Sequence, residues 1–276
     1  MSLMLTGLRG DTPVGFMAGV GLIRILPGHC RLAWDPVTRM AILVGIEREP
    51  LLAFLVDHMR DRHRSPELAL RDDVRKLPAE DYRAMVARAD PATLSWIRAW
   101  WREDGDEIVP TDLCLTGGPQ RMIKMARELA QALDPAKGRG GENRVRKRFA
   151  EALFGPWTYT QPVASWGWDP VTFRPGATTH DAPTRMKTEG VEGAYWLAWE
   201  SQPFFPNVPG QGTLGFRKKP ERHWSWPVWA APLDAAAVRA FLRRPEEAPA
   251  LGGARYQSMI AFAGQIQCFR PANRAG

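Results

Sequence analysis

Residues 30–46 read CRLAWDPVTRMAILVGI. Leu32 and Trp34 alternate with polar or small neighbours, Asp35-Pro36 is a turn pair, and MAILVGI is rich in strand formers, so the segment predicts strand, turn, strand. Pro36 has no N–H for a strand ladder and its φ is preset, which assigns it to the turn. The kernel Trp-Asp-Pro-Val-Thr returns at 168–172 within ASWGWDPVTFR and predicts a second hairpin. Outside the kernel the two regions diverge, with GLIRILPGHC before the first copy and GPWTYTQPVA before the second. A duplication would carry longer similarity. The kernel therefore reads as one turn chemistry used twice, in preference to a paired ligand site.

Upstream, DTPVGFMAGVGLIRIL (11–26) predicts a helix capped by Asp11 or Thr12, with Pro13 early and Phe16, Val20 and Ile23 on one face. Gly15, Gly19 and Gly21 lower helix propensity but let a neighbour approach closely. Arg9-Gly10-Asp11 spells a cell-adhesion tripeptide, a reading set aside because the sequence shows no secretory leader. Downstream, EPLLAFLVDHMRDRHR (49–64) predicts a helix burying Leu52, Leu55, Val56 and Met59. DYRAMVARA and TLSWIRAWWRED follow as charged helical segments ending in an acidic loop. In TGGPQRMIKMARELAQALDP (116–135), Met122, Ala126, Leu129 and Leu133 form one apolar stripe. AKGRGGENRVRKRFAEALF adds a Gly-rich basic loop and a helix turning Val145, Phe149 and Leu153 inward. Beyond 156 come short strands separated by prolines, helices at 192–206 and 232–244, and closing strands at 256–269.

The expected fold class is α+β, with mixed short-stranded sheets around a central helical, basic region. Three regions are expected: 1–115, N-terminal α+β; 116–155, basic helical; 156–276, Trp/Pro-rich α+β. Whether they form one continuous domain is left open. The 24 prolines and 12 tryptophans among 276 residues call for either a heavily aromatic core or an aromatic surface with a task. No run of eighteen apolar residues offers a membrane span. Cys30, Cys114 and Cys268 form no CxxC pair and suit reduced thiols. The expected location is cytoplasmic.

Motifs of chemistry are absent: there is no GxxxxGK[ST], GxGxxG, GxSxG or HExxH. The LTGGPQR glycines precede a helix and could present N–H groups to a phosphate, but a plain helix-starting turn is the simpler reading. His58 and His63, five apart, stand about 140° apart on a helix, the wrong spacing for a shared metal ion. Asp57 and Asp61 share a face with Arg60 and Arg64 and read as a solvated charged face. His180 and His223 are isolated, and either could act as a general base. Asp181, Lys187 and Glu189 come nearest to a nuclease cluster, but their order does not fit. No catalytic residue, metal or cofactor is expected.

What stands out is charge. The net charge is +7, and residues 116–149 hold nine Lys/Arg against three Asp/Glu. Arg121, Lys124, Arg127, Lys137, Arg139, Arg144, Arg146, Lys147 and Arg148 form the main cluster, and Arg217, Lys218 and Lys219 a second. Guanidinium forks match phosphate oxygens. Neutralising six phosphates gives a log–log salt slope of roughly −4 to −5. Trp224, Trp226 and Trp229 offer a base-stacking platform, Trp224 and Trp226 on one side of a strand beside the second cluster, against the alternative of core packing, the commoner use of any single Trp.

The segments LTGL (5–8), TPVGFMAGVGLIRIL (12–26), LAWDP (32–36), FGPWTY (154–159), WGWDP (166–170), GAYWLAWESQPFFPNVP (193–209) and HWSWPVWAAPLDAAAVRAFL (223–242) carry a resemblance. Together they resemble proteins encoded with type I CRISPR systems of the G subtype, formerly U. The matching residues include Gly15-Phe16, Gly155-Pro156-Trp157, Trp196-Leu197-Ala198 with Glu200, Phe205-Pro206 and Trp226-Pro227. The resemblance implies a non-catalytic subunit of an RNA-guided DNA surveillance complex. Its implied partners are CRISPR RNA, target DNA and other effector subunits, with no membrane. It transfers no functional residue. The alternatives from the residues are a metal-independent ribonuclease using a His general base, and a protein–protein adaptor with a basic docking face.

Overall fold

A computed structural model describes residues 2–172, 188–263 and 266–275. The chain begins with β1 (Ser2–Arg9), α1 (Pro13–Ile25), β2 (Arg31–Trp34) and β3 (Met40–Val44). It continues through α2 (Arg48–His58), α3 (Pro66–Ala69), α4 (Ala79–Arg88) and α5 (Pro91–Trp100) to the hairpin β4 (Trp101–Asp104) and β5 (Glu107–Pro110). Next come α6 (Met122–Ala132) and α7 (Gly141–Phe154), the short pair β6 (Gln161–Pro162) and β7 (Glu189–Gly190), and α8 (Glu192–Glu200). The chain closes with β8 (Asn207–Val208), β9 (Gly212–Thr213), β10 (Phe216–Arg217), β11 (His223–Val228), α9 (Ala235–Phe241), β12 (Ala254–Ala263), β13 (Ile266–Phe269) and β14 (Asn273–Arg274).

The strands form a three-stranded sheet, β1-β3-β2, and a five-stranded sheet, β10-β11-β12-β13 with β14 also on β12. The pairings within both are antiparallel. Helices packed against antiparallel sheets make this an α+β protein. One contiguous hydrophobic core, from Leu5 to Phe269, draws residues from all three sequence regions.

The first Trp-Asp-Pro-Val-Thr is a hairpin. Trp34 pairs with Ala41 across it, and Asp35 Oδ1 accepts from the backbone N–H of Val37 and Thr38 at 3.0 and 2.7 Å. The second copy repeats the turn contact, with Asp169 Oδ1 accepting from Val171 N at 3.0 Å. No strand runs into this second turn over residues 163–169, and the segment after Thr172, where a return strand was expected, lies outside the described residues. Gly167 ahead of the turn has φ 77°, a left-handed conformation that breaks strand geometry, and Pro170–Thr172 is a 3-10 turn. The helix expected to run through TLSWIRAWWRED is also corrected: it ends at Trp100, and WRED is strand β4, paired with β5 across the acidic turn.

At the centre lie two helices buried all round. Every residue of α8 is buried, including Glu192 and Glu200, and α1 packs along it. A Cβ on Gly21 would overlap the Leu197 carbonyl of α8, and one on Gly19 would stand 2.6 Å from the Trp34 ring. Close approach is thus the use of these two glycines. Thr12 caps α1 by accepting from Gly15 N at 3.3 Å. Eleven of the twelve tryptophans are buried, Trp157 being the half-buried one. The choice between aromatic core and aromatic surface falls to the core. Among the described residues, no helix is long and apolar enough to cross a membrane.

Candidate nucleic-acid interface

The basic cluster divides by what each side chain meets. The guanidinium of Arg144 lies back along the end of α6 and donates to the carbonyls of Ala132, Asp134 and Lys137 at 3.3, 3.0 and 2.8 Å. A helix C-terminus leaves such carbonyls without backbone partners, so Arg144 is a cap. Arg127 similarly donates to Leu68 O, Arg71 O and Asp72 Oδ1. Arg146 meets Glu49 at 2.6 Å and Arg148 meets Glu192 at 3.1 Å. Arg121 and Lys124 are exposed and only loosely paired, 4.0 Å from Asp72 and 3.9 Å from Glu128.

Three cations remain. Lys137, Arg139 and Lys147 are exposed and have no acidic partner among the described residues. Lys137 and Arg139 stand on the loop leading into α7, whose start at Gly140 has φ 71°. Lys147 follows on the exposed side of α7, on the same face as Asn143. The apolar stripe Val145, Phe149 and Leu153 is buried, which turns this basic side to solvent. Arg217, Lys218 and Lys219 are exposed as well, at and just beyond the edge strand β10.

Two expected members are removed by the fold. Trp224 and Trp226 do share one side of β11, but that side is the core: they are 0% and 1% exposed. Trp224 donates its indole N–H to Leu214 O, and Trp226 donates to Gly10 O at 2.8 Å. Both pack on Phe16, so no base can stack on either.

The glycine-rich turn before α6 is a plain helix start. Asp72 O accepts from the N–H groups of Ile123 and Lys124, and Asp73 Oδ1 from that of Met122, leaving little of this N-terminus for a phosphate. Beside it, Arg121 joins Arg71, Arg75 and Lys76 around a cavity of about 560 Å³ that also holds Asp72 and Asp73. These three additional cations lie 45 or more positions from Arg121 in sequence, so no spacing connects them with it.

A second cavity, about 480 Å³, gathers segments on which the resemblance rests. Gly7 and Thr12–Val14 come from the opening, Gly155–Trp157 and Tyr159 from GPWTY, and Asp169–Val171 from the second kernel. The Asp169 carboxyl is buried and accepts from the Tyr195 hydroxyl at 3.2 Å. Burial raises its pKa, with hydrogen bonds from Val171, Tyr159 and Tyr195 opposing. Tyr159 is raised by burial and then by the Asp169 charge. Arg9 and Asp11, paired at 2.6 Å, stand at the rim.

The histidines are dispersed. His58 Nε2 is 3.0 Å from Glu200 Oε1, and burial pushes its pKa down to about 3, with the charges of Arg62 and Arg24 adding to the effect. Arg24 and Arg62 also donate to the Glu200 carboxylate, and Arg62 pairs with Glu67. No motif signals this buried network, since its members span residues 24 to 200. His223 stands opposite Arg217 across β10–β11, with Nδ1 2.8 Å from Glu221 O. His180, Asp181 and Lys187 lie outside the described residues. No protein-family model matches the chain, and no curated protein matches it.

Proposed function

We propose that this protein is a nucleic-acid-binding subunit of a type I CRISPR effector complex, contacting RNA or DNA backbone without chemistry of its own. The observation that supports the reading is the set Lys137, Arg139 and Lys147, exposed and free of acidic partners among the described residues. Cations already neutralised by a neighbour gain little from a phosphate, whereas unpaired ones release counterions from the nucleic acid when they bind. Arg217, Lys218 and Lys219 extend the contact, and Arg121 with Lys124 supplement it. The partners on this reading are CRISPR RNA or target DNA and neighbouring effector subunits.

The test is binding of labelled single-stranded RNA, single-stranded DNA and duplex DNA at about 50 and 200 mM salt. Wild type is compared with Lys137→Glu/Arg139→Glu/Lys147→Glu and with a charge-matched control, Arg88→Glu/Arg243→Glu/Arg274→Glu. Loss of binding in the first variant, with a salt slope shallower by about 2–3, supports the reading. Equal binding by both variants rejects the interface. No binding at low salt rejects autonomous contact and favours the adaptor. RNA cleavage in EDTA that is lost in His223→Ala selects the ribonuclease instead.

A further inference from the structure

Away from that interface, one group of metal-ligating side chains is drawn together from separate segments. The 3-10 turn Arg62–Arg64 packs against α6. It places His63 Nδ1 3.3 Å from Asp134 Oδ2, just past the end of that helix. The Asp61 carboxylate completes the group, the three ligand atoms lying within 4.8 Å of one another. Helical spacing had separated His63 from His58; the fold supplies His63 with different company altogether.

Two observations distinguish this group from an ordinary ion pair. His63 Nδ1 is shut off from solvent, and its 3.3 Å contact with Asp134 Oδ2 does not have hydrogen-bond geometry, so the nitrogen lacks the well-aligned partner that burial calls for. The spacing is also that of two ligands on one ion: atoms about 2.1 Å from a tetrahedral cation stand roughly 3.4 Å apart. The Asp134 side chain is 10% exposed, and its other oxygen accepts from Ala136 N at 2.8 Å, which fixes the carboxylate as outer partners fix metal ligands. Asp61, at φ 54°, is well exposed and can turn its carboxylate inward. Its present partner Arg64, 3.2 Å away, is 74% exposed and free to leave. Arg144 is held on the Asp134 carbonyl rather than on its carboxylate.

We propose that Asp61, His63 and Asp134 form a binding site for a divalent cation of the zinc or manganese class, with water completing the coordination. An imidazole beside two carboxylates suits these ions, whereas calcium and magnesium favour oxygen alone. A bound ion ties the turn after α2 to the end of α6. It thereby anchors the loop that carries Lys137 and Arg139. The proposal stands independently of what that loop binds.

The full chain, stripped with a chelator, is titrated calorimetrically with ZnCl2 and separately with MnCl2, and its Tm is read with and without each ion. One equivalent of either ion binding with a rise in Tm is expected. Asp61→Asn and His63→Gln should each weaken it at least ~10-fold, while His29→Gln and His223→Gln leave it unchanged. Asp61 is on the surface, so Asp61→Asn keeps the test valid should His63→Gln lower the Tm of the stripped protein. Absence of binding by both ions overturns the proposal. So does binding of undiminished affinity in Asp61→Asn and His63→Gln, which would mark an adventitious ion only.

Discussion

His58 Nε2 lies 3.0 Å from Glu200 Oε1, inside a network where the same fully buried carboxylate meets the guanidinium groups of Arg24 and Arg62. The guanidiniums of Arg24 and Arg62 lie over the Trp96 and Trp196 rings. A buried carboxylate survives only where its partners replace water. Glu200→Gln removes the carboxylate that both arginines share and leaves Glu67 as their remaining acidic neighbour. It should cost about 3–5 kcal/mol, read as a lower urea midpoint at unchanged m. A midpoint within error of wild type would show that the network is dispensable.

His58 also makes stability depend on pH. Its pKa, ordinarily near 6.5, is pushed down to about 3 in the fold, so it stays neutral while the unfolded chain takes up a proton below about pH 6.5. The unfolded state then binds more protons, and stability falls as pH drops from 6.5 toward 3, by up to about 1.4 kcal/mol per unit. The buried carboxyls of Asp169 and Glu192, both raised mainly by burial, act in the opposite sense at acid pH. Comparison with His58→Gln isolates the histidine. Between pH 7 and 5 the variant's Tm should fall less steeply, and parallel slopes would refute the assignment.

Arg144 and Lys147 are three residues apart and should respond differently. Arg144→Ala strips three carbonyls of their donor and should cost about 1–3 kcal/mol, lowering Tm by several degrees. Lys147→Ala should stay within about 0.5 kcal/mol while weakening polyanion binding. Equal thermal shifts would contradict the division of the cluster into capping and free cations.

Trp226→Ala opens a hole beside Phe16 and orphans the Gly10 carbonyl, and should cost about 3–5 kcal/mol. Wild-type fluorescence should remain dominated by solvent-shielded indoles. Quenching of most of that emission by nucleic acid would restore the stacking platform that burial removes.

Gly21→Ala places a methyl against the Leu197 carbonyl, backbone that cannot step aside. The two central helices must then separate, and a loss of about 1–3 kcal/mol or more is expected. An unchanged melting temperature would mean that α1 and α8 are looser than their packing indicates.

The sequence by itself determined the local elements. Pro13 and a capping Asp11 or Thr12 marked the start of α1, alternation marked β2, a run of strand formers marked β3, and a 3.6-residue stripe marked α6 and α7, because these signals act over a few residues. It also determined that positive charge gathers at 121–148, and that one aspartate-proline turn is used twice. Tertiary structure alone decided which arginines cap a helix and which stay free, since that depends on carbonyls and carboxylates brought from other elements. It turned Trp224 and Trp226 inward, because strand alternation names two faces but not which one meets the core. It assembled Glu200 with Arg24, His58 and Arg62, and Asp134 with His63, across separations no spacing rule spans. A buried charge takes its partners from whatever the packed chain brings within reach, and that is a property of the fold.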